Sequence, residues 1–111
     1  MKVLAQQYGA VTVIKPDGPL AATDAEDFKE QFLQVLRENL GRVVLDASGV
    51  PVVDSKGLET LVDLTNEIAQ SGQALKLCAA NRTVREVLEL TGVSSQFEHF
   101  EDVNSGVRSF L

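Results

Sequence analysis

The chain has one cysteine, one histidine and no tryptophan among its 111 residues. A single cysteine, Cys78, rules out an internal disulfide, and its position in an apolar run predicts a small buried side chain in a strand. A single histidine, His99, and that cysteine are too few for a zinc cluster, and no calcium-loop pattern of alternating aspartates is present. A chain of this length can bury a core of its own, so we expect it to fold without a metal or a disulfide.

The sequence also lacks a basic run and a long apolar run. Ten basic against 16 acidic side chains give a formal net charge of −6. This balance argues against nucleic acid as a partner and suits a basic protein partner. Apolar stretches stay well short of the roughly 20 residues that span a membrane, and the first one is too short for a signal peptide. We therefore expect a cytoplasmic protein with no direct membrane insertion.

Apolar residues nevertheless make up 44% of the chain and are spread along its whole length. After an initial strand pair, apolar runs and helical periodicities alternate in the order ββαβαβαβα. This alternation predicts an α/β fold, with a mixed β-sheet packed against about four helices, in a single domain over residues 1–111. Strands are predicted at 3–8, 10–14, 42–46, 74–79 and 96–100, with helices beginning near Thr23, Ser55, Asn81 and Asp102.

Local signals predict where several of these elements begin and end. Thr23 and Glu26, and likewise Thr83 and Glu86, have the spacing of a capping box, in which the threonine hydroxyl accepts from the amide three residues further on. Two prolines and a glycine in the segment 16–19 predict a rigid, exposed loop that follows the second strand.

One segment, 43–58, combines a buried strand, a turn, a short extended run and a helix start at Asp54-Ser55-Lys56-Gly57. Helix starts have unpaired backbone amides, so the amides of residues 56–58 would stabilise a phosphate on Ser55, with Gly57 leaving that side uncrowded. Ser55 could equally be an ordinary helix N-cap. The residues alone leave both interpretations open.

Enzymatic interpretations of this segment lack partners for the serine. A nucleophilic Ser55 needs a base, but the single histidine is predicted to be a surface or strand-end residue, and no Gly-x-Ser-x-Gly elbow exists. Phosphate-binding and dinucleotide-binding glycine patterns are missing. Asp46 could be the phosphoacceptor of a receiver domain, but the first two strands end in Gln7-Tyr8 and Lys15-Pro16, without cation-binding carboxylates. We therefore expect a binding module and not an enzyme.

Three stretches of the sequence resemble a known family. Asp54-Ser55-Lys56-Gly57-Leu58, after a Leu-Asp strand end and before an amphipathic helix, resembles the signature of the bacterial STAS domain of the anti-sigma factor antagonist type. Gly18-Pro19-Leu20 resembles the Gly-x-Leu turn of that family, and the stretch 77–93 resembles its third-helix region. The resemblance covers nearly the whole chain in the same order of elements.

The resemblance implies a partner switch controlled by phosphorylation. Ser55 would be phosphorylated by an anti-sigma factor that is also an ATP-using serine kinase, and dephosphorylated by a serine phosphatase. The unphosphorylated form would bind the kinase and so free a sigma factor, and the chain would need no cofactor of its own. The implied partner-binding residues are Gly18, Leu20, Ala21, Thr23, Asp54, Ser55, Lys56, Gly57, Leu58 and Glu59.

Two residues depart from the pattern of that family. Ala21 stands where its antagonists often have an acidic residue, and Lys56 stands where they usually have a small one. Lysine at a helix start slightly opposes the helix dipole, although it could pair with a phosphate on Ser55. These departures motivate an alternative, in which the chain is never phosphorylated and is a structural or interaction subunit of a transport or signalling complex.

Overall fold

The computed structural model describes all residues from 1 to 111. Its elements follow one another in the predicted order, ββαβαβαβα. The strands are β1 (Lys2–Tyr8), β2 (Val11–Asp17), β3 (Val43–Asp46), β4 (Leu75–Cys78) and β5 (Phe97–Phe100), and the helices are α1 (Ala22–Glu38), α2 (Ser55–Ala69), α3 (Arg82–Leu90) and α4 (Val103–Arg108). A short 3-10 turn, Ser94–Gln96, precedes β5.

The five strands form one sheet in the order β1-β2-β3-β4-β5. β1 pairs antiparallel with β2 through a tight turn at Gly9, whose φ of 63° is readily adopted only by glycine. The other three pairings are parallel because a helix lies between each strand and the next. The prediction of a mixed sheet with a parallel portion is therefore confirmed.

The two faces of the sheet are covered unequally. Seventeen buried residues, contributed by strands, by α1, α2 and α3 and by the loops between them, form the main core on one face. Phe28 and Phe32 of α1 are fully buried there, with ring centroids 5.9 Å apart. Burial of each phenylalanine contributes about 1.5–3 kcal/mol. The larger core therefore holds α1 and α2 against the sheet, and with them the loops at their N-terminal ends.

The opposite face is covered by α4 alone. Val11, Val13, Val44 and Cys78 form a second cluster there, and Val103, Val107 and Phe110 pack against it. Cys78 is fully buried, as predicted, and burial raises the pKa of its thiol to about 12. This thiol is therefore protonated at neutral pH and serves as an apolar side chain.

The prediction that the second strand ends before the prolines is wrong. β2 continues through Pro16 to Asp17, and both residues pair with β1. The amide of Thr12 points toward β3, where it donates to the carbonyl of Arg42. Pro16 lies four residues later and so points its nitrogen to the same side, but the pairing with β3 ends at Ile14. The missing N–H is therefore not needed at this position.

The predicted capping box at Thr23 is also wrong. α1 begins at Ala22, so Thr23 already has helical backbone, and the capping position falls to Ala21, which makes no side-chain cap bond. The box at Thr83 fails for the same reason, since Asn81 caps α3 by accepting from the amide of Val84 at 2.8 Å. The Asn81 amide group also donates to the carbonyl oxygens of Val50 and Pro51, at 3.3 and 3.1 Å.

Asn81 and Thr83 should therefore differ in their contribution to stability. We expect Asn81→Ala to lower the free energy of unfolding by about 1–2 kcal/mol, because it removes a helix cap and two bonds to the 50–51 loop. Thr83→Ala is the matched control and should stay within about 0.5 kcal/mol of wild type. Urea unfolding followed by circular dichroism measures both. Equal losses in the two variants would contradict the assignment of the cap.

Candidate functional site

The two segments singled out by the sequence lie side by side. The amide of Gly18 donates to the carbonyl of Gly49 at 2.9 Å, and the amide of Leu20 donates to that of Val52 at 3.1 Å. Leu20 and Val53 form a parallel bridge, and the amide of Asp54 donates back to Leu20 at 3.3 Å. The backbone thus joins the predicted partner loop to the start of α2.

The N-cap of α2 is Asp54 and not Ser55. Its carboxylate oxygen Oδ1 accepts from the amide of Gly57 at 2.7 Å, and its main-chain carbonyl accepts from Leu58 at 2.9 Å. Ser55 is the first helical residue and is exposed to solvent. Aspartate is as good a cap as serine and adds a negative charge at the positive end of the helix dipole. The amides of Gly57 and Leu58, predicted to be free, are therefore already paired.

Asp54 also caps the other helix at this corner. Its second oxygen, Oδ2, accepts from the amide of Ala22, the first residue of α1, at 3.1 Å. The bond from Gly57 is the main cause that holds the pKa of the Asp54 carboxyl below its usual value, and the bond from Ala22 contributes to the same effect. One carboxylate therefore joins the N-terminal ends of α1 and α2.

Gly57 faces the interior rather than the side where a phosphate would lie. It is buried, and a Cβ atom at this position would collide with the carbonyl oxygen of Leu20 and approach Cγ1 of Val53 to 2.8 Å. The expectation that Gly57 leaves space around a phosphate is therefore wrong. Glycine is required here because backbone packs directly on backbone.

Lys56 joins the two helices a second time. Its Nζ lies 2.8 Å from Oε1 of Glu26 in α1 and 3.8 Å from Oε2 of Glu59 in α2. The contact with Glu26 is the main cause that raises the pKa of Lys56, and the same contact lowers the pKa of Glu26. The sequence suggested a phosphate as the partner of Lys56, whereas the folded chain already provides two carboxylates.

The predicted partner-binding residues divide into an exposed and an interior group. Thr23, Asp54, Ser55 and Glu59 are exposed, Gly18, Ala21, Lys56 and Leu58 are half-buried, and Leu20 and Gly57 are buried. The buried pair shapes the corner and offers no side chain to a partner. Val52, which the sequence analysis did not select, leaves 47% of its surface exposed beside the site. Its position in the extended run 50–53, directly before the signature, is the sequence feature that could have identified it.

His99 does not supply a base for Ser55. Its Nε2 atom lies 2.8 Å from the carbonyl oxygen of Ser94 and 3.2 Å from the Ser94 hydroxyl. A carbonyl oxygen can only accept, so Nε2 carries the proton and cannot take one from that hydroxyl. No group of three or more histidine, cysteine, aspartate or glutamate side chains is arranged to hold a metal. None of the helices has the length and apolar character needed to cross a membrane.

The sequence matches the STAS domain family over residues 2–106, and the chain belongs to that family. It is 26% identical over 97 residues to BtrV of Bordetella bronchiseptica, a protein assigned as an anti-sigma factor antagonist, and the match covers 87% of this chain and 84% of BtrV. It is 30% identical over 87 residues to a protein of Mycobacterium tuberculosis assigned as a sulfate transporter, where the match covers 76% of this chain. The chain spans only 16% of that transporter's length.

Solved structures have the same fold. The crystal structure of an anti-sigma factor antagonist from Thermotoga maritima superposes with a TM-score of 0.86 at 22% identity, covering 96% of this chain and 92% of that chain. The phosphorylated form of the Bacillus cell fate determinant SpoIIAA superposes with a TM-score of 0.72 at 13% identity, covering 99% of this chain and 100% of that chain. The predicted STAS fold is confirmed.

The close packing of Gly57 on Leu20 can be tested by adding one methyl group. In a free helix, Gly57→Ala would be stabilising by about 0.5–1 kcal/mol. We expect the opposite sign here, a loss of about 1–3 kcal/mol, because the new methyl group meets a backbone carbonyl that cannot rotate away. Asn66→Ala, at an exposed position of the same helix, is the control and should change stability by less than about 0.7 kcal/mol. A more stable Gly57→Ala variant would contradict the packing.

The shared cap should give a pH-dependent contribution to stability. The pKa of Asp54 is lower in the folded protein than in the unfolded chain, so its contribution is present above the unfolded pKa of about 3.9 and is lost as the pH falls further. We expect Asp54→Asn to be less stable than wild type at neutral pH, with the difference in stability narrowing as the pH falls below about 4. Urea unfolding across this range measures it. The uncharged cap variant Asn81→Ala should differ from wild type equally at each pH, and a constant difference for Asp54→Asn would refute the assigned contribution.

Proposed function

We propose that this chain is an anti-sigma factor antagonist of the partner-switching kind, with Ser55 as its phosphorylation site. The observation that carries the proposal is the placement of an exposed serine hydroxyl at the first position of α2, beside the 18–23 loop. The proposal is supported by relatives assigned as antagonists, two of which match the chain over most of their own length. The phosphorylated form in which SpoIIAA was solved supports it further.

In the proposed reaction, a serine kinase transfers the γ-phosphoryl group of ATP to Oγ of Ser55. An O–P bond forms at the serine, the bond to the β-phosphate breaks, ADP leaves and the hydroxyl proton passes to the kinase or to solvent. A serine phosphatase reverses the change by hydrolysis. The catalytic residues of both reactions belong to the kinase and the phosphatase. This chain supplies the acceptor hydroxyl and the docking surface.

The proposed binding surface surrounds the serine. It comprises the 18–23 loop and the exposed parts of residues 54–59, with Gly18, Ala21 and Leu20 shaping the loop, and we add Val52 to it as an exposed apolar contact. Phosphate would add roughly −1.5 to −2 charge beside Asp54 and within one helical turn of Glu59. Like charge and desolvation at this surface would then weaken a complex that the neutral serine permits.

A second function is favoured by one observation, the 30% identity to a segment of a transporter in which the matching part is 16% of the whole. A segment of a mouse anion transporter, 18% of that chain, also has this fold, with a TM-score of 0.76 at 20% identity. In this alternative the chain is a STAS subunit that holds its partner permanently. Both functions use the same surface, and they differ in whether phosphate releases the partner.

One experiment separates the two. The tagged chain is expressed in its native host, captured with its partner, and washed with or without ATP, and Ser55 is examined by mass spectrometry. We expect phosphate on Ser55 in wild type, no phosphate in Ser55→Ala, and a complex with Ser55→Asp weakened at least about tenfold. Ser95→Ala, at another exposed serine, is the control and should behave as wild type. A partner that stays bound to Ser55→Asp and through ATP treatment would refute the switch and support the permanent subunit.

A further inference from the structure

The start of α1 depends on a side chain from another part of the chain. Its own capping residue, Ala21, makes no side-chain bond, and the amide of Ala22 instead donates to Asp54, 32 residues away in sequence. Ala22 has a φ of 50°, in the left-handed region that alanine rarely adopts. Such a conformation persists when surrounding contacts hold it, and the bond to Asp54 is one of these contacts.

A second contact holds the same turn of α1. Glu26 pairs with Lys56 at 2.8 Å, one turn after Ala22, and Lys56 also lies within 3.8 Å of Glu59. The first turn of α1 is therefore attached to α2 by Asp54 and by Lys56, in addition to the bond from the Thr60 hydroxyl to the carbonyl of Ala25. These two residues are the immediate neighbours of Ser55 on either side.

We infer that Asp54 couples the phosphorylation state of Ser55 to the first turn of α1. This inference rests on the proposed function, since it requires a phosphate on Ser55. Two amides at the start of α2 are already taken, that of Gly57 by the Asp54 carboxylate and that of Leu58 by the Asp54 main-chain carbonyl. The amides of Ser55 and Lys56 remain for the phosphate, and the Lys56 amide also acts on the Asp54 carboxylate. A phosphate brings three strong acceptor oxygens, so it competes with the Asp54 carboxylate for the same donors and repels it.

Displacement of the carboxylate affects both helices at once. Oδ1 binds Gly57 and Oδ2 binds Ala22, so a carboxylate that rotates away from α2 also leaves the amide of Ala22. The phosphate draws Lys56 from Glu26 by the same charge, because the dianion attracts an ammonium group more strongly than one carboxylate does. The start of α1 at Ala22 then loses both polar attachments, while Ala25, which is fully buried and accepts from the hydroxyl of Thr60 at 3.3 Å, keeps the rest of the helix in place.

Phosphorylation therefore changes the surface that the partner contacts at two places. One is the charge at Ser55 itself, and the other is the loosened first turn of α1, which lies in the proposed binding surface. Two signals from one modification make the phosphorylated form a poorer fit to the partner than charge alone would make it.

The test uses phosphoserine incorporated at position 55 during translation, so no kinase is needed. Water-exchange NMR on ¹⁵N-labelled protein measures the exchange rate of the Ala22 amide. We expect this rate to rise about tenfold on phosphorylation, as for the loss of one hydrogen bond. Phosphoserine at position 95 is the control and should leave the rate unchanged. An Ala22 rate within about twofold of the unmodified protein would overturn the coupling.

The route through Asp54 has its own control. In Asp54→Ala the Ala22 amide has lost its acceptor and should already exchange fast, and phosphoserine at position 55 should change its rate by less than about twofold. A full response in that background would show that the coupling does not pass through Asp54, and would overturn the inference. Because the phosphate is installed directly, a chain that no kinase phosphorylates would refute the proposed function while leaving this result intact.

Discussion

The carbonyl group of Leu20 determines the geometry of the whole site. It accepts the amide of Asp54 at 3.3 Å, and the backbone of Gly57 packs directly against it. These contacts determine how closely the 18–23 loop approaches α2. At this separation a single carboxylate reaches amides in the first turns of both helices. The orientation of Ser55, one residue after that carboxylate, follows from the same contact.

The net negative charge of the chain is concentrated on two of its helices. α1 and α2 carry eight acidic and three basic side chains, so these two helices account for most of the net charge of −6. Two ion pairs connect these helices: Lys56 pairs with Glu26, and Lys29 pairs with Asp63. Surface pairs of this kind contribute little to stability, but they fix which acidic groups remain unpaired beside the site. A partner that docks at this corner therefore meets an acidic surface, to which a phosphate on Ser55 would add further negative charge.

Sequence patterns predicted the order of the elements, the mixed sheet and the buried faces, because periodicity reflects which side of each element meets the core. They failed where an outcome depended on contacts between distant segments. Thr23 had the right spacing for a cap, but α1 starts earlier because Asp54 captures the amide of Ala22. Asp54 itself was recognised only as part of the signature, since its second partner lies on another helix. Ser55 was placed correctly at a helix start, but a local pattern could not decide between the capping and first helical positions.

The role of Gly57 also depends on a contact between distant segments that the sequence does not show. Glycine in a signature suggests space for a ligand, whereas the structure uses it for a contact between two backbones. Pro16 predicts the end of a strand from its sequence alone, although a strand tolerates proline where the pairing with its neighbour has already ended. In each case the residue type was informative about a special backbone environment. Its neighbours in space decided which environment it was.

The burial of Cys78 has a practical consequence for the study of this protein. Burial raises the pKa of this thiol to about 12, so it stays protonated at neutral pH, and its sulfur lies beneath Gly106 of α4. A thiol reagent can reach it only when α4 separates from the sheet. The rate of labelling of the native protein therefore reports that opening, and a cysteine introduced on the surface could be labelled selectively while Cys78 stays protected.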